Sequence, residues 1–224
     1  TIICPSNITI CTDAGVCEAA VTWADPMPMD DCPGLQVIAT HNSGDVFPIG
    51  STAVSYTLID AAGNVTGCKF IVTVEDCEDP IITCPASPEI VSTTPGQCDA
   101  TVVVDPPASA TDNCVNVSVT NDIPSGNVFP VGTTVVTYTA TDDAGNMATC
   151  TIDVIVNDTE TPTITGCPGD VLISNDAGEC TAVVTWTEPV SADNCPGETI
   201  ISSHASGDKF PVGTTTVTYT VTDT

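Results

Sequence analysis

Short runs of alternating apolar and polar residues recur along the whole chain. Ala182-Val-Val-Thr-Trp186 and Thr214-Thr-Thr-Val-Thr-Tyr-Thr-Val-Thr222 are two of them. Alternation with a period of two predicts strands with one buried face. Thr and Val dominate these runs, and β-branched side chains suit a pleated, half-buried surface. No stretch carries a helical period. Turn-forming clusters separate the runs at Asp13-Ala-Gly15, Thr94-Pro-Gly96 and Asp176-Ala-Gly178, and Asp-Ala-Gly-Asn segments such as Asp143–Asn146 join the last two strands. Six or seven strands in roughly 80 residues is the pattern of an antiparallel sandwich of immunoglobulin type.

The pattern is written three times. The first copy reads Cys4-Pro, Asp13-Ala-Gly-Val-Cys17, Ala20-Val-Thr-Trp23, Asp31-Cys32, Val46-Phe-Pro-Ile-Gly50, Val54-Ser-Tyr56, Asp60-Ala-Ala-Gly-Asn64 and Cys68. The second gives Cys84-Pro, Pro95-Gly-Gln-Cys98, Asp112-Asn-Cys114, Val128-Phe-Pro-Val-Gly132, Val136-Thr-Tyr138, Asp142-Asp-Ala-Gly-Asn146 and Cys150. The third gives Cys167-Pro, Asp176-Ala-Gly-Glu-Cys180, Val184-Thr-Trp186, Asp193-Asn-Cys195, Lys209-Phe-Pro-Val-Gly213 and Val217-Thr-Tyr219, and reaches Asp223-Thr224. Such self-similarity predicts consecutive structural units. The expected fold class is all-β: tandem immunoglobulin-like antiparallel β-sandwiches arranged end to end, over residues 1–77, 78–158 and 159–224. The third is expected to be incomplete, lacking its last strand and fourth cysteine. Truncation explains that, and so does a strand supplied by a neighbouring chain.

The blocks Cys-Pro-x-x-(Ile/Val), Phe-Pro-(Val/Ile)-Gly-(Thr/Ser)-Thr and Thr-Tyr-Thr-x-x-Asp-x-Ala-Gly-Asn, at this spacing, resemble the hyalin repeat, or HYR domain. The resemblance covers essentially the whole chain. It implies an immunoglobulin-like fold, secretion or surface display, and a role in adhesion. The second copy departs with Val104 where the others carry Trp, and the first adds Cys11 and Cys77.

Charge narrows the partners. The chain has 29 acidic residues against two lysines, no arginine, and a net charge of −27. Nucleic-acid binding needs a basic footprint, and none can be drawn. Thirteen cysteines in an acidic, Thr-rich chain indicate an oxidising compartment, so the expected location is extracellular or on the cell surface. No Cys-x-x-Cys pair occurs, which argues against zinc. No apolar run approaches the roughly 20 residues of a membrane span. A chain that starts at Thr1 without a signal peptide is expected to be a mature or excised segment.

Sandwiches of this size have thin cores, and sulfur bridges help them. Four cysteines allow three pairings, and sequence alone does not choose. The preferred set joins first to second (Cys4–Cys17, Cys84–Cys98, Cys167–Cys180) and third to fourth (Cys32–Cys68, Cys114–Cys150). Cys11 then pairs with Cys77, and Cys195 is left for a partner outside the chain. Phe47, Phe129 and Phe210, each nine residues before a Tyr, read as core anchors, as do Trp23 and Trp186. His41 and His204 have Ile123 at the matching place, so they are structural or exposed rather than catalytic.

The acidic residues gather in loops. Asp30 and Asp31, Asp112 and Asn113, and Asp193 and Asn194 precede cysteines; Asp60, Asp142, Asp143 and Asp223 start the last hairpin turn; Glu78, Asp79, Asp158 and Glu160 sit in linkers. In an immunoglobulin-type topology both loop sets lie at the pole facing the preceding repeat. Calcium takes six to eight oxygen ligands, so these positions are candidate inter-repeat calcium ligands, in an arrangement that resembles the calcium-rigidified junctions of cadherins. Four sequons mark candidate glycan carriers at Asn7, Asn64, Asn116 and Asn157. No Ser/His/Asp pattern, phosphate loop or zinc helix motif occurs, and acids in short turns make a poor hydrolytic cleft. The expected function is therefore not enzymatic. It is an extracellular structural or adhesive spacer or filament subunit, partnered by its own copies or by other surface proteins and glycans. The alternative is a carbohydrate- or protein-binding adhesion module.

Overall fold

A computed structural model describes residues 1–31, 33–105 and 107–223. Among these residues there is no α-helix, and secondary structure is strand apart from one short 3₁₀ turn at Ser125–Asn127. The chain divides into two compact units, Thr1–Pro85 with Pro106–Asp122 and Thr137–Thr151, and Ala86–Asp105 with Ile123–Val136 and Ile152–Thr224. Each unit holds one linker together with the loops on either side of it.

The first unit contains the sandwich of the first repeat. One sheet has the order β1 (Ile8–Cys11), β6 (Val65–Glu75), β5 (Gly50–Ile59), β3 (Gln36–Ala39). A two-stranded sheet of β2 (Glu18–Ala20) and β4 (Val46–Pro48) completes the repeat. The long β5–β6 hairpin is antiparallel, whereas β1 runs parallel to β6. Inward residues alternate as the sequence pattern requires: Val54, Tyr56 and Leu58 on β5, and Phe70, Val72 and Val74 on β6, are buried. All of these except Leu58 pack in one cluster with Ala19, Val21 and Phe47. The Phe-Pro-Ile-Gly block drops Phe47 into this core and then swings the chain from β4 to β5 at Gly50, whose φ of +102° an L side chain rarely adopts. The same unit also pairs β7 (Ile81–Thr83) with β10 (Ser109–Thr111), and β11 (Ser118–Asn121) with the end of β13 (Gly132–Thr141).

The second unit pairs β8 (Glu89–Ser92) in parallel with the end of β14 (Met147–Asn157), and β9 (Asp99–Thr101) with β12 (Val128–Pro130). Ala100, Val102, Phe129, Val136, Ile152, Val154 and Val156 are buried there. The third repeat contributes β15 (Thr163–Thr165) with β17 (Val190–Ala192), β16 (Thr181–Val183) with β19 (Lys209–Pro211), and β18 (Thr199–Ser202) with β20 (Tyr219–Thr222).

The disulfides correct the preferred pairing. Cys4 joins Cys68 rather than Cys17, and Cys84 joins Cys150 rather than Cys98. The cause is the parallel β1–β6 register: Ile8 stands opposite Val72, so the residues four places earlier, Cys4 and Cys68, face each other. The same register sets Cys11 against Glu75 and brings it to Cys77, the one expected pair that forms. The remaining cysteines bridge consecutive repeats. Cys17 bonds Cys114, and Cys98 bonds Cys195, each across 97 residues. Cys114–Cys150 therefore does not form, and Cys195 has its partner within the chain. Cys167 and Cys180 are exposed free thiols instead of a pair. Cys32, and with it the expected Cys32–Cys68 bridge, lies outside the described residues, although Cys68 is already bonded to Cys4.

Candidate cation-binding junctions

Each unit contains one linker between repeats, and the two linkers are built alike. In the first unit the chain leaves β6 through Glu75-Asp-Cys-Glu-Asp-Pro80. The Glu78 carboxylate grips the Gly15 N–H with both oxygens, at 2.9 and 3.2 Å. Asp76, only 8% exposed, accepts the Glu78 N–H at 3.2 Å. From the next repeat, the Asn113 amide donates to the Val16 carbonyl at 3.0 Å and to Thr12 Oγ1 at 3.3 Å. Asn146 donates to the Asp76 carbonyl at 3.2 Å and to Asp142 Oδ2 at 2.8 Å. The Cys17–Cys114 bridge closes the same place. Carboxylate oxygens of Asp76 and Asp112 and the Cys114 sulfur lie within 4.8 Å of one another. That sulfur is in a disulfide, so only the carboxylates remain as ligands.

The second unit repeats this set. The Glu160 carboxylate holds the Gly96 N–H at 3.0 and 3.1 Å. Asp158 Oδ1 accepts the Glu160 N–H at 3.1 Å and the Asn194 amide at 3.3 Å. Asn194 also donates to the Gln97 carbonyl at 2.9 Å, beside the Cys98–Cys195 bridge. Carboxylate oxygens of Asp158, Asp193 and Asp223 come within 4.8 Å of one another. Of these three, Asp193 lines an open groove together with Gly96, Glu160 and Asn194.

Like charges this close repel strongly in a partly buried site, and a bound cation reverses the sign. Four buried oxygens at these junctions lack a hydrogen-bond partner: Asp112 Oδ1 and Asn113 Oδ1 in one, Asp158 Oδ2 and Asn194 Oδ1 in the other. Buried acceptors without donors are costly. All four are oxygens, the atom type that calcium takes as ligand. The residues present therefore fit a hard divalent cation.

The structure sorts the candidate residues. Asp112, Asn113 and Asp142 gather at the first junction, and Asp158, Asp193, Asn194 and Asp223 at the second. Glu78 and Glu160 have both oxygens on glycine amides. Asp60 and Asp142 each build their own turn. Asp60 Oδ1 accepts the Ala62 and Asn64 N–H groups at 2.9 and 2.8 Å, and Asp142 Oδ1 those of Gly145 and Asn146 at 2.7 and 2.8 Å. The Asn64 side chain, with the backbone amides, holds the Asp60 carboxyl below the usual range. For Asp142 burial pushes upward, but the Asn146 amide and the turn N–H groups outweigh it, and the net shift is also downward. Asp30 Oδ1 accepts the Asp31 N–H, Asp143 accepts from Asn116, and Asp79 is exposed. Asp76 escaped the sequence reading. Aligning Glu75–Pro80 with Asn157–Pro162 by their prolines sets it over Asp158, which was the available signal.

The aromatic residues build cores. Trp23 packs edge-on against Phe47 and Phe70 and donates to the Tyr56 hydroxyl at 2.7 Å, which in turn donates to Asp25. Trp186, Tyr219 and Glu188 form the same chain in the third repeat. His41 and His204 stack on Phe47 and Phe210. Of the sequon residues, Asn7 Oδ1 accepts the Ile71 N–H, Asn64 and Asn116 donate to carboxylates, and Asn157 is exposed at the end of β14.

The HYR domain profile matches residues 1–74, 75–156 and 157–224. Hyalin of Lytechinus variegatus is 33% identical over 98% of this chain and 42% of its own length. Hyalin of Strongylocentrotus purpuratus is 36% identical over 98% of this chain and 19% of its own. The sushi, von Willebrand factor type A, EGF and pentraxin domain-containing protein 1 of Rattus norvegicus is 31% identical over 82% of this chain and 5% of its own. The chain thus spans less than half the length of these relatives. Among solved structures, protocadherin gammaB7 (the EC3-6 cis-dimer) shares 15% identity at a TM-score of 0.36, covering 92% of this chain and 63% of that one. A likeness so low carries no weight for the fold, which rests on the strand pairing described above. With three consecutive segments matched from residue 1 to residue 224, the chain belongs to the HYR domain family.

Proposed function

We propose that this chain works as an extracellular structural and adhesive repeat array whose junctions are stiffened by a disulfide and by calcium. Its likeness to hyalin and to the sushi-containing protein, and the five disulfides among the described residues, support an extracellular, adhesion-type repeat protein rather than an enzyme. Calcium is supported by one recurring observation: an aspartate from the linker and one from the Asp-x-Cys loop converge at both junctions beside buried oxygens that no donor reaches. Asp76, Asp112 and Asn113 would hold the ion in one, and Asp158, Asp193, Asn194 and Asp223 in the other. An all-oxygen set of this kind favours calcium over the softer transition metals. The bound ion would supply positive charge between carboxylates that otherwise push the junction open. Glycans on the exposed sequons and filaments of several copies complete the reading.

Calorimetric titration with calcium tests it. Calcium at about 100 times its Kd is expected to stabilise by about 2.7 kcal/mol, and a chelator is expected to lower the melting temperature and change the small-angle scattering profile. Unchanged melting and scattering in both conditions would remove the calcium reading.

A further inference from the structure

Cys11–Cys77 stands apart from the other bridges among the described residues. Both of its cysteines are exposed, whereas those of the other four bridges are half-buried or buried. The second repeat does without it. Cys11 pairs with Glu75 on β6 as Ser92 pairs with Asn157 on β14. Cys77 and Thr159 each follow two residues later in their linkers. The sulfur pair of the first repeat thus takes the places of a serine and a threonine in the second.

The second repeat closes the same ladder without sulfur. The Thr12 N–H donates to the Glu75 carbonyl at 2.9 Å, and the Thr93 N–H to the Asn157 carbonyl at 3.0 Å. Asp76 accepts from Glu78 as Asp158 accepts from Glu160. Both linker glutamates hold a glycine amide. The Cys11–Cys77 ring also nearly repeats that of Cys4–Cys68, with sequence separations of 66 and 64. A second crosslink over a loop already closed removes little further freedom from the unfolded chain. The bridge is therefore accessible, and the fold does not depend on it.

The surroundings select the reagent. Cys77 lies in Glu75-Asp-Cys-Glu-Asp79, and Asp13 stands two residues after Cys11. Thiolates open disulfides, and these carboxylates repel a thiolate unless positive charge arrives with it. The departing sulfur leaves as an anion, which four flanking carboxylates oppose at Cys77 more than one does at Cys11. We propose that Cys11–Cys77 is a thiol–disulfide exchange site, through which the chain accepts a covalent link to a thiol carried beside positive charge. The incoming thiolate attacks the Cys77 sulfur. The Cys11–Cys77 bond breaks and a mixed disulfide forms on Cys77. The electron pair leaves on the Cys11 sulfur, which takes a proton from water.

The test uses the whole 224-residue chain, its free thiols first capped by alkylation. It is treated with cysteamine, mercaptoethanol or mercaptoacetate at equal thiolate concentration. Protein thiols released at early times are trapped with a second alkylating label and located by mass mapping, as is the adduct. Cys11–Cys77 is expected to open at least about tenfold faster than any other bridge, because access governs exchange. Cysteamine should act at least about tenfold faster than mercaptoacetate in dilute salt. That ratio should fall toward unity at about 1 M salt, where the screening length is about 3 Å. The label should fall on Cys11 and the adduct on Cys77. A Lys-Lys-Cys-Lys-Lys peptide reacting faster than cysteamine assigns the site to a polypeptide donor, and the reverse to a small thiol; both results support the site. A chain with Cys11→Ser and Cys77→Thr, which copies the second linker, should lose the fast phase and melt within a few degrees of the native chain. Equal opening of all five bridges, no preference for the cationic thiol, or a marked drop in the melting temperature of the double variant would each overturn the proposal.

Discussion

Phe47 and Phe210 stand in the same motif, one repeat at the start of the chain and one at its end. Phe47 is 1% exposed, and Phe210 is half-buried. Each sits on a strand paired as its counterpart is, Ala19 opposite Phe47 and Ala182 opposite Phe210. Each has a tryptophan at 5.9 Å and a histidine stacked nearby. What differs is the strand that brings Phe70, Val72 and Val74 over the first core. The motif therefore aims the phenylalanine, and the last strand buries it. Local sequence sets direction; the energy comes from a strand more than twenty residues further along.

The comparison predicts unequal costs. Phe47→Ala should destabilise its repeat by about 3–5 kcal/mol, and Phe210→Ala by less than about half of that, read as hydrogen-exchange protection strand by strand. Equal losses would mean that β6 is not what secures the first core. Next in size, replacing Cys4 and Cys68 together by serine should cost about 2–4 kcal/mol in denaturant unfolding. Cys167→Ser should leave the midpoint where it is.

The junctions sharpen the contrast through the sign of an effect. Without calcium, Asp158→Asn relieves repulsion among three clustered carboxylates and should leave thermal stability unchanged or slightly raised. With calcium it should lower stability by about 1–3 kcal/mol, the cost of leaving buried oxygens less well matched. A fall of the same size in both conditions would make Asp158 a purely structural residue. The smallest effect concerns acid. The carboxyls of Asp60 and Asp142 are held below their ordinary value, so their contribution is full above about pH 4. It drains away as pH drops through their lowered folded values. Amide protection at Asn64 and Asn146 should hold from neutral pH down to that point and weaken only below it.

The strands, turns and repeat count were legible because each is written locally, in alternation and in Asp-x-Ala-Gly-Asn or Phe-Pro-Val-Gly blocks. Apart from Cys11–Cys77, the disulfide partners were not. Cys4 meets Cys68 only because β1 runs parallel to β6, and parallel pairing joins residues that no turn connects. Cys17 and Cys98 were harder still, since their partners belong to the following repeat. The loop and turn acids were visible from composition and position, yet Glu78 and Glu160 turned out to hold glycine amides. Asp76 was missed, although it stands four residues before Pro80 as Asp158 stands before Pro162.

The five bridges among the described residues have a consequence for durability. Their rings, Cys4–Cys68, Cys11–Cys77, Cys17–Cys114, Cys84–Cys150 and Cys98–Cys195, overlap in sequence without a gap. Every peptide bond between Cys4 and Cys195 therefore lies inside at least one closed loop. A protease that cuts once anywhere in that stretch nicks the molecule but does not part it. Severing the strand takes a further cut or a reductant, which suits a repeat protein of the extracellular space.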